Sequence, residues 1–187
     1  YFDTPYFDLY LMHVNERAER YKIRSRQYTD SKDSFLEVKH KTHKDRTIKT
    51  RIATTSMIET ISIEMDKWLS GIFPLETRHL EPKIWNTFTR ITLVNQTRPE
   101  RVTLDTDITF RWGCQAISLP DIVIAEVKTG QGSADSPFIA QMHNNHIHPQ
   151  GFSKYCLGIS LLYHEVKKNN LKPKMLRIQK ISKGELT

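Results

Sequence analysis

The chain has 187 residues, 38% hydrophobic and 26% charged, with a formal net charge of +7. That is enough apolar sequence for one folded domain with a sizeable core, and it excludes a disordered polyelectrolyte. No apolar run approaches the roughly 18 residues of a membrane helix, and the surplus of Lys and Arg points to anionic partners: nucleotides, nucleic acid, polyphosphate or anionic lipid.

The opening stretch "YFDTPYFDLY" (1–10) has neither a basic n-region nor an apolar h-region, so it does not read as a signal peptide. It has no starting Met and reads as the inside of a fold, so a fragment lacking its N-terminal part is expected. From about residue 20 to 128 the pattern is mostly period two, rich in Val, Ile, Thr, Phe and Tyr. In "YKIRSRQY" (21–28) Lys22, Arg24 and Arg26 alternate with Tyr21, Ile23 and Ser25, which puts three cations in one row of a strand. "SFLEVKHK" (34–41) sets Phe35, Glu37, Lys39 and Lys41 against Leu36 and Val38. "RTIKTRI" (46–52) separates Lys49 and Arg51 from Ile48 and Ile52.

Residues 56–69 predict a helix from Ser56 to Leu69 with Gly71 as its stop, and Pro74 and Pro82 bracket an irregular connection. Strands resume with "FTRITLV" (88–94), where Arg90 and Thr92 oppose Ile91 and Leu93. In "RVTLDTDITF" (101–110) Arg101, Thr103, Asp105 and Asp107 oppose Val102, Leu104 and Ile108. "IVIAEVKTG" (122–130) places Glu126 and Lys128 on one face and Val127 on the other. "TGQGSADS" (129–136) lacks the GK[ST] ending of a phosphate-cradling loop and reads as a connector. Ser136 and Pro137 are an N-cap and N1 pair for a short helix to about His143. A further helix is expected over 157–168, and the basic tail "LKPKMLRIQKIS" (171–182) reads as one more strand. Cys114 and Cys156 show no metal-ligand spacing and no disulfide framework, which suits a reducing cytosol.

At least five of these strands pair an apolar face with a charged one. The polar faces carry Lys22, Arg24, Arg26, Lys39, Lys41, Lys49, Arg51, Arg90, Arg101 and Lys128, against Glu37, Asp105, Asp107 and Glu126. In a sandwich such faces simply meet water. In a closed sheet they line a lumen, provided helices cover the apolar exterior. Desolvated like charges cost several kcal/mol, so such a lumen makes sense around water and a densely charged anion.

The motifs "YFDTPYFDLY", "RYKIRSRQY", "SFLEVKHK", "RTIKTR", "RVTLDTDI", "IAEVKTG" and "GFSKYCLG" follow one another in the order and spacing of the VTC domain, and nearly the whole chain resembles that polyphosphate polymerase domain, in particular its bacterial stand-alone form. The resemblance implies an α+β fold of the triphosphate tunnel metalloenzyme (CYTH-like) type. That fold is an antiparallel eight-stranded β-barrel with a basic lumen and helices packed outside, here a single domain over 1–187 without the first strand. It implies ATP-dependent extension of inorganic polyphosphate in the cytoplasm, with Mn²⁺ or Mg²⁺. The phosphate-gripping positions carry over to Arg24, Arg26, Lys39, Lys49, Arg90, Arg101 and Lys154. Further substrate contacts are expected from Lys22, Lys41, Lys128 and Ser153, and metal-binding carboxylates at Glu126 and Glu37. The family also carries a basic residue where this chain has Gly151.

The alternatives are an inorganic triphosphatase using water as acceptor, and a non-catalytic module that binds polyphosphate or inositol phosphates. Nucleic acid is the weaker rival, because aromatics are not interleaved with the cations apart from Tyr28 and a few phenylalanines. The chain itself carries no membrane segment, although a membrane-bound partner is compatible with it. "HNNHIH" (143–148) has no second ligand cluster and reads as a polar loop, and Tyr155 reads equally as a phosphate contact or a packed aromatic. Trp68, Trp85 and Trp112 read as packing residues.

Overall fold

Alternation in the sequence becomes two antiparallel sheets, in a computed structural model that describes residues 1–44, 46–130 and 136–184. The first sheet has the order β4-β3-β2-β1-β5, from β1 (Phe2–Asp3), β2 (Arg20–Gln27), β3 (Ser34–Lys41), β4 (Thr47–Thr54) and β5 (Glu81–Pro82). The second is built on β7 (Glu100–Trp112), with β6 (Trp85–Val94) along one edge. The other edge of β7 is shared: β9 (Ile124–Thr129) pairs with Glu100–Asp105 and β8 (Gln115–Leu119) with Ile108–Trp112. Among the described residues the pairings thus give sheets of five and four strands, and no ladder joins them into the single eight-stranded barrel expected from the family resemblance.

Among the described residues, five α-helices accompany the sheets: α1 (Asp8–Val14), α2 (Ile63–Ser70), α3 (Pro137–Asn144), α4 (Lys154–Leu162) and α5 (Lys172–Ser182). α2 starts seven residues later than the sequence suggests, because Ser62 rather than Ser56 caps it by accepting from the Met65 amide. α3 begins as expected, with the Ser136 hydroxyl accepting from the Ile139 amide and Pro137 at the first turn. α4 ends at Leu162, short of the expected 168. The tail is a helix rather than a strand: Met175, Ile178 and Ile181 recur every three residues and turn one stripe to the core. The connector read at 129–136 falls largely on 131–135, outside the described residues.

β2 carries the expected alternation: Tyr21 and Ile23 are buried together with Leu36 and Val38 of β3. They form one apolar cluster with Phe2, Leu9, Leu69 and Phe73, which α1 and α2 contribute to or flank. The other cluster joins Ile108 and Phe110 of β7 to Tyr155, Leu157, Ile159 and Leu162 of α4. α1 belongs to both, through Leu9 on one side and Tyr10 and Val14 on the other. The Asp3 carboxylate fixes this wedge. It is fully buried, accepts from the amides of Leu9 (2.8 Å) and Tyr10 (2.9 Å), and receives the Tyr155 hydroxyl. Tyr155 is therefore a packed aromatic, not a ligand contact. The expectation that helices cover the whole apolar exterior is not met in either sheet, since Ile48 on β4 and Ile91 and Leu93 on β6 stay half exposed.

One irregularity organises the second sheet. Between Thr87 and Thr89 of β6 the register slips so that β7 carries an extra residue, and Asp107 sits there in the left-handed region at φ 53°. Alternation reverses across this bulge. Thr103 and Asp105 before it face the same side as Ile108 and Phe110 after it, so one face is polar at one end and apolar at the other. Asp107 is exposed and leaves the row of polar residues that simple alternation assigned to it.

α4 lies against the apolar end, and its approach depends on Gly158. A Cβ there would stand 2.2 Å from Ile84 Cδ1 and 2.6 Å from Phe110 Cδ1. Gly158→Ala is expected to lower stability by about 1–3 kcal/mol through overpacking, read as a reduced melting temperature. An unchanged melting temperature would show that α4 sits farther from β7.

Candidate functional site

The polar faces of the two sheets look at each other across a cavity of ≈ 570 Å³, closed on a third side by residues 150–154 at the start of α4. Antiparallel pairing sets its rows. Across β2, β3 and β4 run Lys22–Lys39–Lys49 and Arg24–Glu37–Arg51. Across β6, β7 and β9 run Arg90–Asp105–Ile124 and Thr92–Thr103–Glu126. Among the described residues, nine cations and two carboxylates line the cavity.

Of the positions expected from the sequence, Lys22, Arg24, Arg26, Lys39, Lys49 and Arg90 are on its walls, as are Lys128, Ser153 and Lys154. So are both expected carboxylates, Glu37 and Glu126. Lys41 lines an adjoining cavity instead. Arg101 lines neither. It lies in the row of Lys128 but at the very end of β7, where the strand leaves the Asn95–Glu100 turn and its side chain meets solvent. Arg51 lines the cavity although the sequence reading gave it no role; its place opposite Glu37 required the β3–β4 register. Asp105, read only as a polar-face anion, anchors two of the wall cations.

The Asp105 side chain is 3% exposed and takes both Nε (2.6 Å) and Nη2 (2.7 Å) of Arg90, while Lys154 Nζ donates to its second oxygen. Burial pushes the Asp105 carboxyl up, but hydrogen bonds from Arg90 and Lys154 overcome this and hold it below the usual range. The ring of Phe88 lies under both cations, 5.2 Å from Arg90 Cζ and 4.5 Å from Lys154 Nζ. Asp105 thus ties the start of α4 to the middle of the second sheet. On the opposite wall, Glu37 receives Nε (2.7 Å) and Nη2 (2.6 Å) of Arg24 on one oxygen, and the Tyr1 hydroxyl lies 3.2 Å from Nη1. Burial works against the Arg24 charge, but Tyr1 and Glu37 more than offset it and raise its pKa.

Apart from Lys128, which pairs with Glu126, the remaining cations have no such compensation among the described residues. Arg26, Lys39, Lys49 and Arg51 form no ion pair with a described carboxylate; Arg26 lies 4.2 Å over Tyr28 and Arg51 4.5 Å over Phe35. Burial, then the neighbouring Lys49, lowers the Lys39 pKa. Lys22 donates to Ser153 Oγ at 2.9 Å, and burial lowers its pKa to about 8. Burial likewise lowers that of Lys154. Ser153 has a second task, since the same hydroxyl caps α4 by accepting from the Cys156 amide.

For a divalent metal the two carboxylates differ. Glu37 is committed to Arg24. Glu126 is half exposed to the cavity, held only by Lys128 at 3.3 Å, and kept anionic by the nearby cations despite burial. Its neighbour in the ladder, Thr103, has a buried hydroxyl without a partner among the described residues. Among the described residues no three His, Cys, Asp or Glu converge. The residues present therefore fit a single-carboxylate site completed by phosphate oxygens and water, the ligation Mg²⁺ commonly takes.

The VTC domain family model matches residues 1–163. The chain belongs to the VTC domain family. Comparison with curated proteins returned no match. Family membership points to polyphosphate-related chemistry, in agreement with a cavity walled by Lys and Arg. No helix among the described residues is long and apolar enough to cross a membrane.

Lys22 gives the cavity a pH signature. Without an anion its ammonium fades above pH about 8, so any affinity for tripolyphosphate is expected to be full below that pH and to fall as pH rises, by up to about tenfold per pH unit. Lys22→Arg keeps its charge throughout and should remove this share of the slope. Calorimetric titrations of both proteins between about pH 7 and 9.5 cancel the ligand's own ionisation. Identical slopes would show that Lys22 does not meet the anion.

Proposed function

We propose that the protein is a polyphosphate polymerase: an oxygen of a phosphate or polyphosphate end attacks the γ-phosphorus of ATP, the bond to the β-phosphate bridging oxygen breaks, and ADP leaves. The observation that carries this reading is the excess of nine cations over two carboxylates around one cavity, drawn from both sheets and α4. Phosphoryl transfer asks a protein mainly for in-line placement and charge compensation. We read the two sheets as opposing walls of one triphosphate tunnel. A cytoplasmic setting, with ATP at hand and the thiols of Cys114 and Cys156 free, goes with this reading.

Each wall has a defined task. Arg24, oriented by Glu37, and Arg26 grip phosphate oxygens with their planar forks from the first sheet. Arg90, oriented by Asp105, does so from the second. Lys39 and Lys49 act as movable point charges that follow a chain as it advances, while Lys154, anchored by Asp105, adds a fixed one. Mn²⁺ or Mg²⁺ held by Glu126 would neutralise charge on the phosphate oxygens. Water in place of the phosphate acceptor would make the same cavity a triphosphatase.

Incubation with ATP and Mn²⁺, followed by separate assays of polyphosphate, ADP and free phosphate, distinguishes these reactions. Long-chain product with matching ADP and little phosphate is expected. Arg24→Ala with Arg26→Ala should reduce product by about a hundredfold or more. Phosphate as the sole product, or activity that survives the double substitution, would contradict the assignment.

A further inference from the structure

A second cavity, of ≈ 730 Å³, adjoins the central one, and the two share Lys22, Lys39, Phe152 and Ser153. It continues along the same face of the first sheet to the next row, where Arg20 stands opposite Lys41. Five Lys and Arg side chains line it, and Glu16 is the one carboxylate among the described lining residues. His13 adds no charge, because burial and the nearby Lys22 push its pKa down to about 3.

The fifth cation comes from outside the family match, which ends at residue 163. α5 is seated by Ile178, which is buried in the core cluster with Met175 and Ile181 packed against it. One turn before Ile178, Lys174 reaches the cavity wall. Its Nζ lies 3.9 Å from where a Cβ on Gly151 would stand, so a longer side chain at 151 would compete with it for the same space. No described carboxylate pairs with Lys174.

We infer that this second cavity is a chain subsite, holding the continuation of a polyphosphate whose reacting end occupies the central cavity, with Lys174 making affinity depend on chain length. The inference rests on the central cavity being a polyphosphate site. A nucleoside does not fit as occupant, since it is neutral and offers no negative charge to a wall that carries five Lys and Arg side chains. A linear polyanion matches the unbroken run of cations from one cavity into the next.

Calorimetry with tripolyphosphate, long-chain polyphosphate and ATP tests this on the full chain. Wild-type protein should bind the long chain more tightly than tripolyphosphate. Lys174→Glu should weaken long-chain binding by about tenfold, the worth of one charge-assisted contact, and leave tripolyphosphate and ATP unchanged. Lys174→Arg should retain the preference, and both variants should melt as the wild type does. The inference falls if Lys174→Glu leaves long-chain affinity intact, weakens all three ligands equally, or weakens ATP instead. If the wild type binds neither phosphate ligand, the central reading fails and this one with it.

Discussion

Three lysines abreast, Lys22, Lys39 and Lys49, set the constraint under which the rest of this structure is built. Like charges directly opposite one another on neighbouring strands destabilise a sheet by roughly 0.2–1 kcal/mol per pair. That is small against a typical folding stability of about 5–15 kcal/mol, but only while the ammonium groups keep contact with water or an anion. The two sheets therefore face each other across a cavity rather than closing into a dry sandwich. The carboxylates are placed to orient guanidinium groups more than to neutralise the lysines: Glu37 holds Arg24, Asp105 holds Arg90, and the lysine row stays uncompensated.

Stability comes from the other faces. Asp3 turns α1 into a wedge shared by both apolar clusters, and its bond from Tyr155 ties β1 to α4 across 152 residues of chain. The bulge at Asp107 does the complementary work in the second sheet. By reversing the alternation of β7, it lets one face supply Asp105 to the cavity and Phe110 to the core. Without that reversal, Phe110 would point away from α4, and Lys154 would lose the helix that delivers it to Asp105.

The strands and their charged faces were legible in the sequence because period-two alternation is a local property. Most of the wall was legible for the same reason. The errors arise where a local pattern has two readings or where register decides. Ser56 reads as a helix start, yet Ser62 makes the cap, because the apolar stripe that packs runs through Met65 and Leu69. The basic tail reads as a strand in the sequence, but the three-residue spacing of Met175, Ile178 and Ile181 fits a helix against the core. Arg101 and Arg51 resemble each other in sequence, and only the end of one strand and the pairing of another place the first at the rim and the second on the wall. Lys174 had no local signal at all, since its position depends on how α5 docks.

A structure determined with tripolyphosphate bound tests the central claim most directly, namely that these rows of cations surround one anion. The account predicts phosphate density between the two sheets, with oxygens bonded by Arg24 and Arg26 from one side and Arg90 from the other. Density confined to the outer surface, or contacts from one sheet alone, would contradict it.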